Sequence, residues 1–149
     1  MTLYLVDANV LQEMHPQGHA NVRAWHAGVD DHQLRISVIT IHESRVGLER
    51  ERLRREAKSK NTDEITAKFA VLDALADTYA GRIIEIDRAV AEEWAHLLAA
   101  KGKNDRDMAL AATARIYDLV LVTRNTKDFV GRDVTVLDPF ANKPVAKRV

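Results

Sequence analysis

Short apolar runs recur along the chain, and between them lie longer segments in which apolar residues return every three or four positions. The runs are continuous rather than alternating, which is typical of strands that are covered on both faces in a parallel sheet. They predict five strands, at residues 2–6, 34–39, 83–86, 119–122 and 134–137.

The longer segments have the periodicity of helices. One helix is predicted to begin at Asn61 and to end before Gly81, and a second follows Asp87 and ends at Gly102. Residues 108–114 are small and apolar on nearly every side, which favours a helix packed centrally against a sheet. Strands that alternate with helices predict an α/β fold, in which the carboxyl ends of parallel strands share one edge and bind ligands there.

The composition is that of one globular domain. The chain has 149 residues, of which 46% are hydrophobic, and this suffices for a single core. We expect the domain to span residues 1–141 and residues 142–149 to form a loose tail. No apolar run approaches the roughly 20 residues of a membrane-spanning helix, so no membrane association is expected.

Charge and cysteine content narrow the possible functions. The 22 basic and 22 acidic residues leave no net charge, so attraction to nucleic acid requires local clustering. The absence of cysteine excludes disulfides, iron–sulfur clusters and thiolate zinc sites. It is compatible with the reducing cytoplasm, where we expect the protein.

Acidic residues lie close to the predicted strand ends and helix starts. They are Asp7, Glu43, Asp107 and Asp128. Like charges that meet at one sheet edge cannot all stay ionised without a compensating cation. Any one of these acids alone is better explained as a helix cap, but the four together favour a metal site. Oxygen ligands favour Mg²⁺ or Mn²⁺, which assist displacement at phosphorus.

A local basic cluster occupies residues 45–60, with seven basic and three acidic side chains. Arg45, Arg52 and Arg55 are candidate contacts to RNA or to a protein partner. Equally, the segment is a solvated helix with ion pairs four residues apart, such as Glu51 with Arg55. The sequence alone leaves both interpretations open.

Four segments, in this order and spacing, resemble the PIN-domain ribonucleases, and more closely the VapC/FitB-like toxins of bacterial type II toxin–antitoxin pairs. The segments are Leu-Tyr-Leu-Val-Asp-Ala-Asn at 3–9, Ser-Val-Ile-Thr-Ile-His-Glu at 37–43, Asp107 ahead of Leu-Ala-Ala-Thr-Ala, and Thr-Arg-Asn at 123–125 followed by Asp128-Phe129. The likeness extends from residue 3 to about residue 140.

The resemblance implies a PIN-like three-layer α/β/α sandwich with a central parallel sheet. It also implies Mg²⁺- or Mn²⁺-dependent cleavage of RNA, such as tRNA or mRNA, that arrests translation. Asp7, Glu43 and Asp107 match the three metal positions, and Asp107 is preferred over Asp105 because it precedes Ala111 by four residues. Where some relatives have a fourth acid this chain has Asn125, which leaves Asp128 as the expected fourth carboxylate. The expected supporting polar residues are Asn9, Thr40, Thr123 and Asn125.

The resemblance implies partners as well. They are a VapB-like antitoxin whose tail crosses the acidic pocket, a second copy of the chain in a homodimer, and operator DNA that is bound only through the antitoxin. A hypothesis from another class is a noncatalytic RNA- or protein-interaction module on the same scaffold, with the basic segment as its surface. A haloacid-dehalogenase-like phosphatase is disfavoured, because Asn9 replaces the second aspartate that its chemistry needs.

Overall fold

A six-stranded sheet forms the centre of the protein in a computed structural model that describes residues 1–100 and 104–149. Its strands are β1 (Tyr4–Val6), β2 (Leu34–Ser37), β3 (Ile83–Ile84), β4 (Val120–Val122), β5 (Thr135–Leu137) and β6 (Lys147–Arg148). Their order is β3-β2-β1-β4-β5-β6, and the first five are parallel, whereas β6 is antiparallel to β5. The prediction of an α/β fold with a mainly parallel sheet is confirmed.

Six helices accompany the strands in the described residues. They are α1 (Ala8–Leu11), α2 (Ala20–Ala27), α3 (Val38–Ala57), α4 (Asp63–Thr78), α5 (Arg88–Ala100) and α6 (Asp105–Ile116). Single 3₁₀ turns occur at Asp31–Gln33 and Thr126–Phe129. The three helices predicted from periodicity correspond to α4, α5 and α6, and the predicted end of the second one at Gly102 lies outside the described residues. None of the helices described is long and apolar enough to cross a bilayer.

The sheet separates two apolar layers, because successive strand residues point to opposite faces. Leu5, Leu121 and Val136 pack with α5 and α6 on one face. Their neighbours in sequence pack with α1, α2 and α4 on the other face, and these are Val6, Val122 and Leu137. Residues 108–114 of α6 are all buried, as predicted for a central helix. This arrangement is a three-layer α/β/α sandwich.

The boundary between β2 and α3 differs from the prediction. The apolar run was expected to continue as a strand to residue 39, but β2 ends at Ser37. The Ser37 hydroxyl accepts a hydrogen bond from the Ile39 N–H at 3.0 Å and thereby caps α3. Thr40 and Glu43 therefore lie in the first turns of a helix rather than at the end of a strand.

The end of the chain also differs from the expected loose tail. Lys147 and Arg148 pair with β5, and Val149 and Val134 exchange two backbone hydrogen bonds of 3.0 and 3.3 Å. A strand at a sheet edge has unpaired N–H and C=O groups, and β6 satisfies those of β5. The boundary placed at residue 141 stays a prediction.

Candidate active site

The candidate site lies where the strand order reverses. The chain runs outward from β1 to β2 and β3 on one side, and from β4 to β5 on the other. Loops that leave β1 and β4 therefore diverge and open a crevice at their carboxyl ends, where α/β folds bind ligands. Asp7 directly follows β1, and Thr123 directly follows β4.

The carboxylate of Asp7 is buried and held on both oxygens. The side chain is 1% exposed. Its Oδ1 accepts the Ala8 N–H at 2.8 Å, while its Oδ2 accepts the Thr123 hydroxyl at 2.9 Å and the Asn9 amide at 3.3 Å. Capping of α1 accounts for only the first of these contacts. The other two fix the carboxylate in the crevice.

Arg106 links Asp7 to Asp107. Its Nη2 donates to Asp7 Oδ1 at 2.8 Å, and its Nη1 donates to Asp107 Oδ1 at 3.0 Å. The first turn of α6 supplies both Arg106 and Asp107, whose side chain is 17% exposed. Two carboxylates from distant parts of the chain thus share one positive charge. Sequence reasoning missed Arg106, although its position between Asp105 and Asp107 at a helix start could have drawn attention to it.

The site has more negative charge than Arg106 balances. Burial raises the pKa of Asp107 above its ordinary value, and the charges of Asp7 and Asp128 raise it further. Arg106 acts in the opposite direction but does not cancel these effects. Asp128, in the turn after β4, is therefore close enough to Asp107 to act on it electrostatically.

Asp105 faces away from this carboxylate pair. Its Oδ1 and its backbone carbonyl accept the Trp94 indole N–H at 3.1 and 3.0 Å. The side chain thereby ties α6 to α5. Asp105 and Asp107 were the two candidates for the third acidic position. The structure places Asp107, and not Asp105, beside Asp7 through their shared contact with Arg106.

Thr123 and Asn9 join the loops that follow β1 and β4. The Asn9 amide also donates to the Thr123 hydroxyl at 3.4 Å, and its Oδ1 accepts the Arg124 N–H at 3.2 Å. Asn125 contributes its backbone N–H, which donates to the Thr123 hydroxyl at 3.1 Å. Of the predicted supporting residues, Asn9 and Thr123 thus contact Asp7 directly. Asn125 contacts Thr123 instead of Asp7.

Glu43 and Thr40 lie on α3, on the wall of a cavity of about 730 Å³. The Glu43 side chain is 44% exposed and approaches His42 Nδ1 at 3.8 Å. In residues 1–100 and 104–149 no three His, Asp or Glu side chains are arranged to hold a metal ion, so Glu43 does not form a ready cluster with Asp7 and Asp107. Its role as a ligand stays a prediction. The Thr40 hydroxyl is buried and has no hydrogen-bond partner among the described residues.

The same cavity has an apolar wall built by three helices. Leu11 comes from α1, Ile41 and Leu48 come from α3, and Val71 and Leu75 come from α4. Val71 is 69% exposed, so the cavity is an open groove rather than a closed void. Ala8, which follows Asp7 in the chain, also lines the groove.

The predicted arginine contacts on α3 are compensated by acids. Arg45 pairs with Asp73 at 3.0 Å. Arg52 pairs with Glu49 and with Glu56, and Arg55 pairs with Glu51 at 3.0 Å and with Glu64 at 3.4 Å. These three arginines therefore lie on a solvated helix and pair with acids of α3 itself and of α4. A contact of these arginines with RNA or antitoxin stays a prediction.

Comparison with known proteins gives consistent matches. The model of the PIN domain family matches residues 4–132. The chain is 30% identical to the toxin FitB of Neisseria gonorrhoeae over 144 residues, which are 93% of this chain and 99% of FitB. The crystal structure of FitAcB from the same organism superposes with a TM-score of 0.74 at 30% identity, covering 93% of this chain and 99% of that one. The structure of FitAB bound to an IR36 DNA fragment gives a TM-score of 0.76 at 28% identity, with 95% and 98% of the two chains covered.

Proposed function

Because this chain belongs to the PIN-domain family, we propose that it is a Mg²⁺- or Mn²⁺-dependent endoribonuclease that arrests translation by cleaving tRNA or mRNA. PIN domains are generally nucleases, and the chain is a toxin of the type II toxin–antitoxin class. The observation that carries the proposal is that Asp7 and Asp107 both contact the Arg106 guanidinium, where the strand order of the sheet reverses.

The side chains around Asp7 fit a divalent cation by their chemistry. The groups that could bind it are carboxylate, hydroxyl and amide oxygens, which Mg²⁺ and Mn²⁺ prefer. Asp7 and Asp107 share the single guanidinium of Arg106. Burial is the main cause of the raised pKa of Asp107, and the charges of Asp7 and Asp128 add to it. Asp7 and Asp107 would hold the ion. Glu43, which forms no ready cluster with them here, would have to approach them to act as the third ligand. When bound, the ion supplies positive charge beside the scissile phosphate and makes an attacking water more acidic.

The other residues of the site orient and support these carboxylates. Thr123 and Asn9 fix the rotation of the Asp7 carboxylate by donating to Oδ2. Asp7 is buried from water, so the charge of its carboxylate acts in a medium of low polarity. Asp128 is our candidate for the fourth carboxylate, rather than Asn125, because its charge acts on Asp107.

Substitution of Asp7 by asparagine tests this function. The variant keeps the shape of the side chain and an oxygen that can accept the Ala8 N–H, but it removes the charge and replaces the oxygen that accepts from Thr123 and Asn9 by an amide nitrogen. We expect RNA cleavage in Mn²⁺ to fall by about 100-fold or more, since loss of a supporting group around a metal already costs about 10- to 100-fold. Asp118→Asn is a matched control, because Asp118 is exposed, precedes β4 at the opposite sheet edge and has a φ of 52° that asparagine tolerates. Equal cleavage by folded Asp7→Asn and wild-type protein would refute the mechanism.

A VapB-like antitoxin is the partner that we propose for the apolar groove between α1, α3 and α4. The relatives FitAB and FitAcB are toxin–antitoxin complexes. The groove here is lined by Val71 and Leu75 and also by Ala8, the neighbour of Asp7 in the chain. An amphipathic antitoxin segment in the groove would cover the acidic site. Val71→Glu, at an exposed position, should abolish copurification with the product of the adjacent reading frame and leave RNA cleavage unchanged. Copurification that persists at the wild-type level would argue against this groove.

The remaining assembly is proposed from the same relatives. We propose a homodimer in the cytoplasm, where RNA substrates are found, and its mass can be measured by light scattering. Because the chain has no net charge, operator DNA is expected to bind only to the complex with antitoxin. Binding of the same DNA by the isolated chain would contradict this expectation.

The noncatalytic module is the alternative function. Its surface would be the basic segment of residues 45–60, in which Arg45, Arg52 and Arg55 each pair with acids. Calorimetry with Mn²⁺ separates the two functions. Binding that is lost in Asp7→Asn supports the nuclease, and the absence of any binding by the wild-type protein supports the module.

A further inference from the structure

Arg124 is an exposed cation at the rim of the candidate site. It directly follows Thr123, which donates to Asp7, and its own backbone N–H donates to Asn9 Oδ1 at 3.2 Å. In residues 1–100 and 104–149 no carboxylate oxygen lies within 4 Å of its guanidinium, unlike those of Arg106 and the arginines of α3 considered above. Arg124 thus adds positive charge beside the acidic crevice without being neutralised by an ion pair.

The guanidinium of Arg124 is held in place by an aromatic ring. Its central carbon lies 4.3 Å from the centroid of the Phe140 ring, which is a cation–π contact. Phe140 is itself anchored: its N–H donates to Asp138 Oδ1 at 2.9 Å, and its carbonyl accepts the Asn21 amide at 2.7 Å. The His19 ring packs against Phe140, with 5.0 Å between the ring centroids. The loop after β5 therefore fixes a side chain that belongs to the loop after β4.

An ordered arginine without an acidic partner is suited to a phosphate. The guanidinium presents donors in a plane that matches two phosphate oxygens, and its attachment to Phe140 reduces the entropy lost when a ligand binds. The carboxylates of Asp7, Asp107 and Asp128 repel a phosphate in the crevice, and a fixed cation at the rim offsets this repulsion. Resting on the proposed ribonuclease function, we propose that Arg124, supported by Phe140, binds an RNA backbone phosphate next to the one that is cleaved.

The test is fluorescence anisotropy of a fluorescein-labelled single-stranded RNA titrated with the full chain in EDTA, where metal-dependent cleavage is off. Arg124→Ala should weaken binding about 10-fold, as expected for one charge-assisted contact. The slope of log K against log salt should fall by about 0.7, as for one phosphate contact to a single strand. Arg124→Lys keeps the charge but loses the planar donors, so its affinity for RNA should lie between those of the wild type and Arg124→Ala. Phe140→Leu should weaken binding about 2- to 4-fold, because the arginine stays but is less ordered.

Arg148→Ala is the matched control. It removes the same charge at the opposite sheet edge, where Arg148 pairs with Asp133, and it should bind RNA within about 2-fold of wild type. Wild-type affinity in Arg124→Ala, an equal loss in Arg148→Ala, or no RNA binding by the wild-type chain would each overturn the proposal.

Cleavage in Mn²⁺ separates this proposal from the one on which it rests. If the wild-type chain cleaves and Asp7→Asn does not, the ribonuclease function holds whatever Arg124→Ala does. Arg124→Ala should then need about 10-fold more protein for half-maximal single-turnover cleavage, and an unchanged half-maximal concentration would overturn the role of Arg124 alone. If the wild-type chain binds RNA through Arg124 but cleaves none, the ribonuclease function fails while the phosphate contact stands.

Discussion

Replacing Arg106 with glutamine removes the guanidinium that joins Asp7 to Asp107 and leaves a buried carboxylate without its charged partner. Loss of one partner from a fully buried ion pair costs about 3–5 kcal/mol. Here the cost is smaller, because the Arg106 side chain is 27% exposed and Asp7 keeps hydrogen bonds from Ala8, Thr123 and Asn9. We expect a loss of about 2 kcal/mol in the free energy of unfolding in EDTA.

The same substitution should strengthen binding of Mn²⁺, because the ion no longer competes with a tethered cation for Asp7 and Asp107. A ligand that binds only the folded state stabilises it, so a tenfold gain in Mn²⁺ affinity adds about 1.4 kcal/mol to the free energy of unfolding of the variant at saturating Mn²⁺. The loss of about 2 kcal/mol in EDTA should therefore shrink to well under 1 kcal/mol in Mn²⁺.

Urea denaturation in EDTA and in saturating Mn²⁺ measures both quantities. Arg88→Gln is the control, because Arg88 is 92% exposed and pairs only with Glu92 among the described residues; it should change stability little under either condition. In an Asp7→Asn background, Arg106→Gln should cost much less than in the wild-type chain, which identifies the ion pair as the cause. A loss that is the same with and without Mn²⁺, or no loss in EDTA, would refute this reasoning.

Three further predictions concern stability. Folding raises the pKa of Asp107 above its ordinary value of 3.8, so ionisation of this side chain opposes folding. The penalty is absent below the unfolded-state pKa, grows as pH rises through the folded-state pKa, and is complete above it. In EDTA, Asp107→Asn should therefore gain stability relative to wild type as pH rises from about 4 to 7 in urea titrations, and a constant difference would contradict this. Thr123→Val removes a buried hydroxyl that donates to Asp7 and accepts from Asn125, and we expect a loss of about 1–3 kcal/mol in urea denaturation; an unchanged midpoint would show that these bonds contribute nothing. Deletion of residues 147–149 uncovers β5 and removes Val149 from the core, so thermal unfolding should begin several degrees lower, whereas an unaltered transition would mean that β6 is dispensable.

The fold was predictable where burial on both faces leaves a continuous apolar run. The runs at 119–122 and 134–137 correspond closely to β4 and β5, and the small residues at 108–114 lie at the centre of α6. The start of α3 was not predictable from hydrophobicity, because Val38 and Ile39 continue the apolar run of β2. The Ser37 cap decides that boundary, and it moves Glu43 into a helix.

The candidate site was predictable in its residue types but not in its contacts. Asp7 and Asp107 follow from acids at strand ends and helix starts, and the motifs that resemble the family added Asn9 and Thr123. The direction of Arg106 was not predictable, because it depends on how α6 is seated against β1. The contact between Arg124 and Phe140 likewise depends on β4 and β5 being neighbours in the sheet.

Anomalous scattering from Mn²⁺ in crystals of the chain would test the central claim most directly. We predict one anomalous peak in the crevice after β1, bound by carboxylate oxygens of both Asp7 and Asp107, with the Arg106 guanidinium displaced from its position between them. A fully occupied Mn²⁺ elsewhere, together with an Arg106 that still bridges the two aspartates, would contradict the claim.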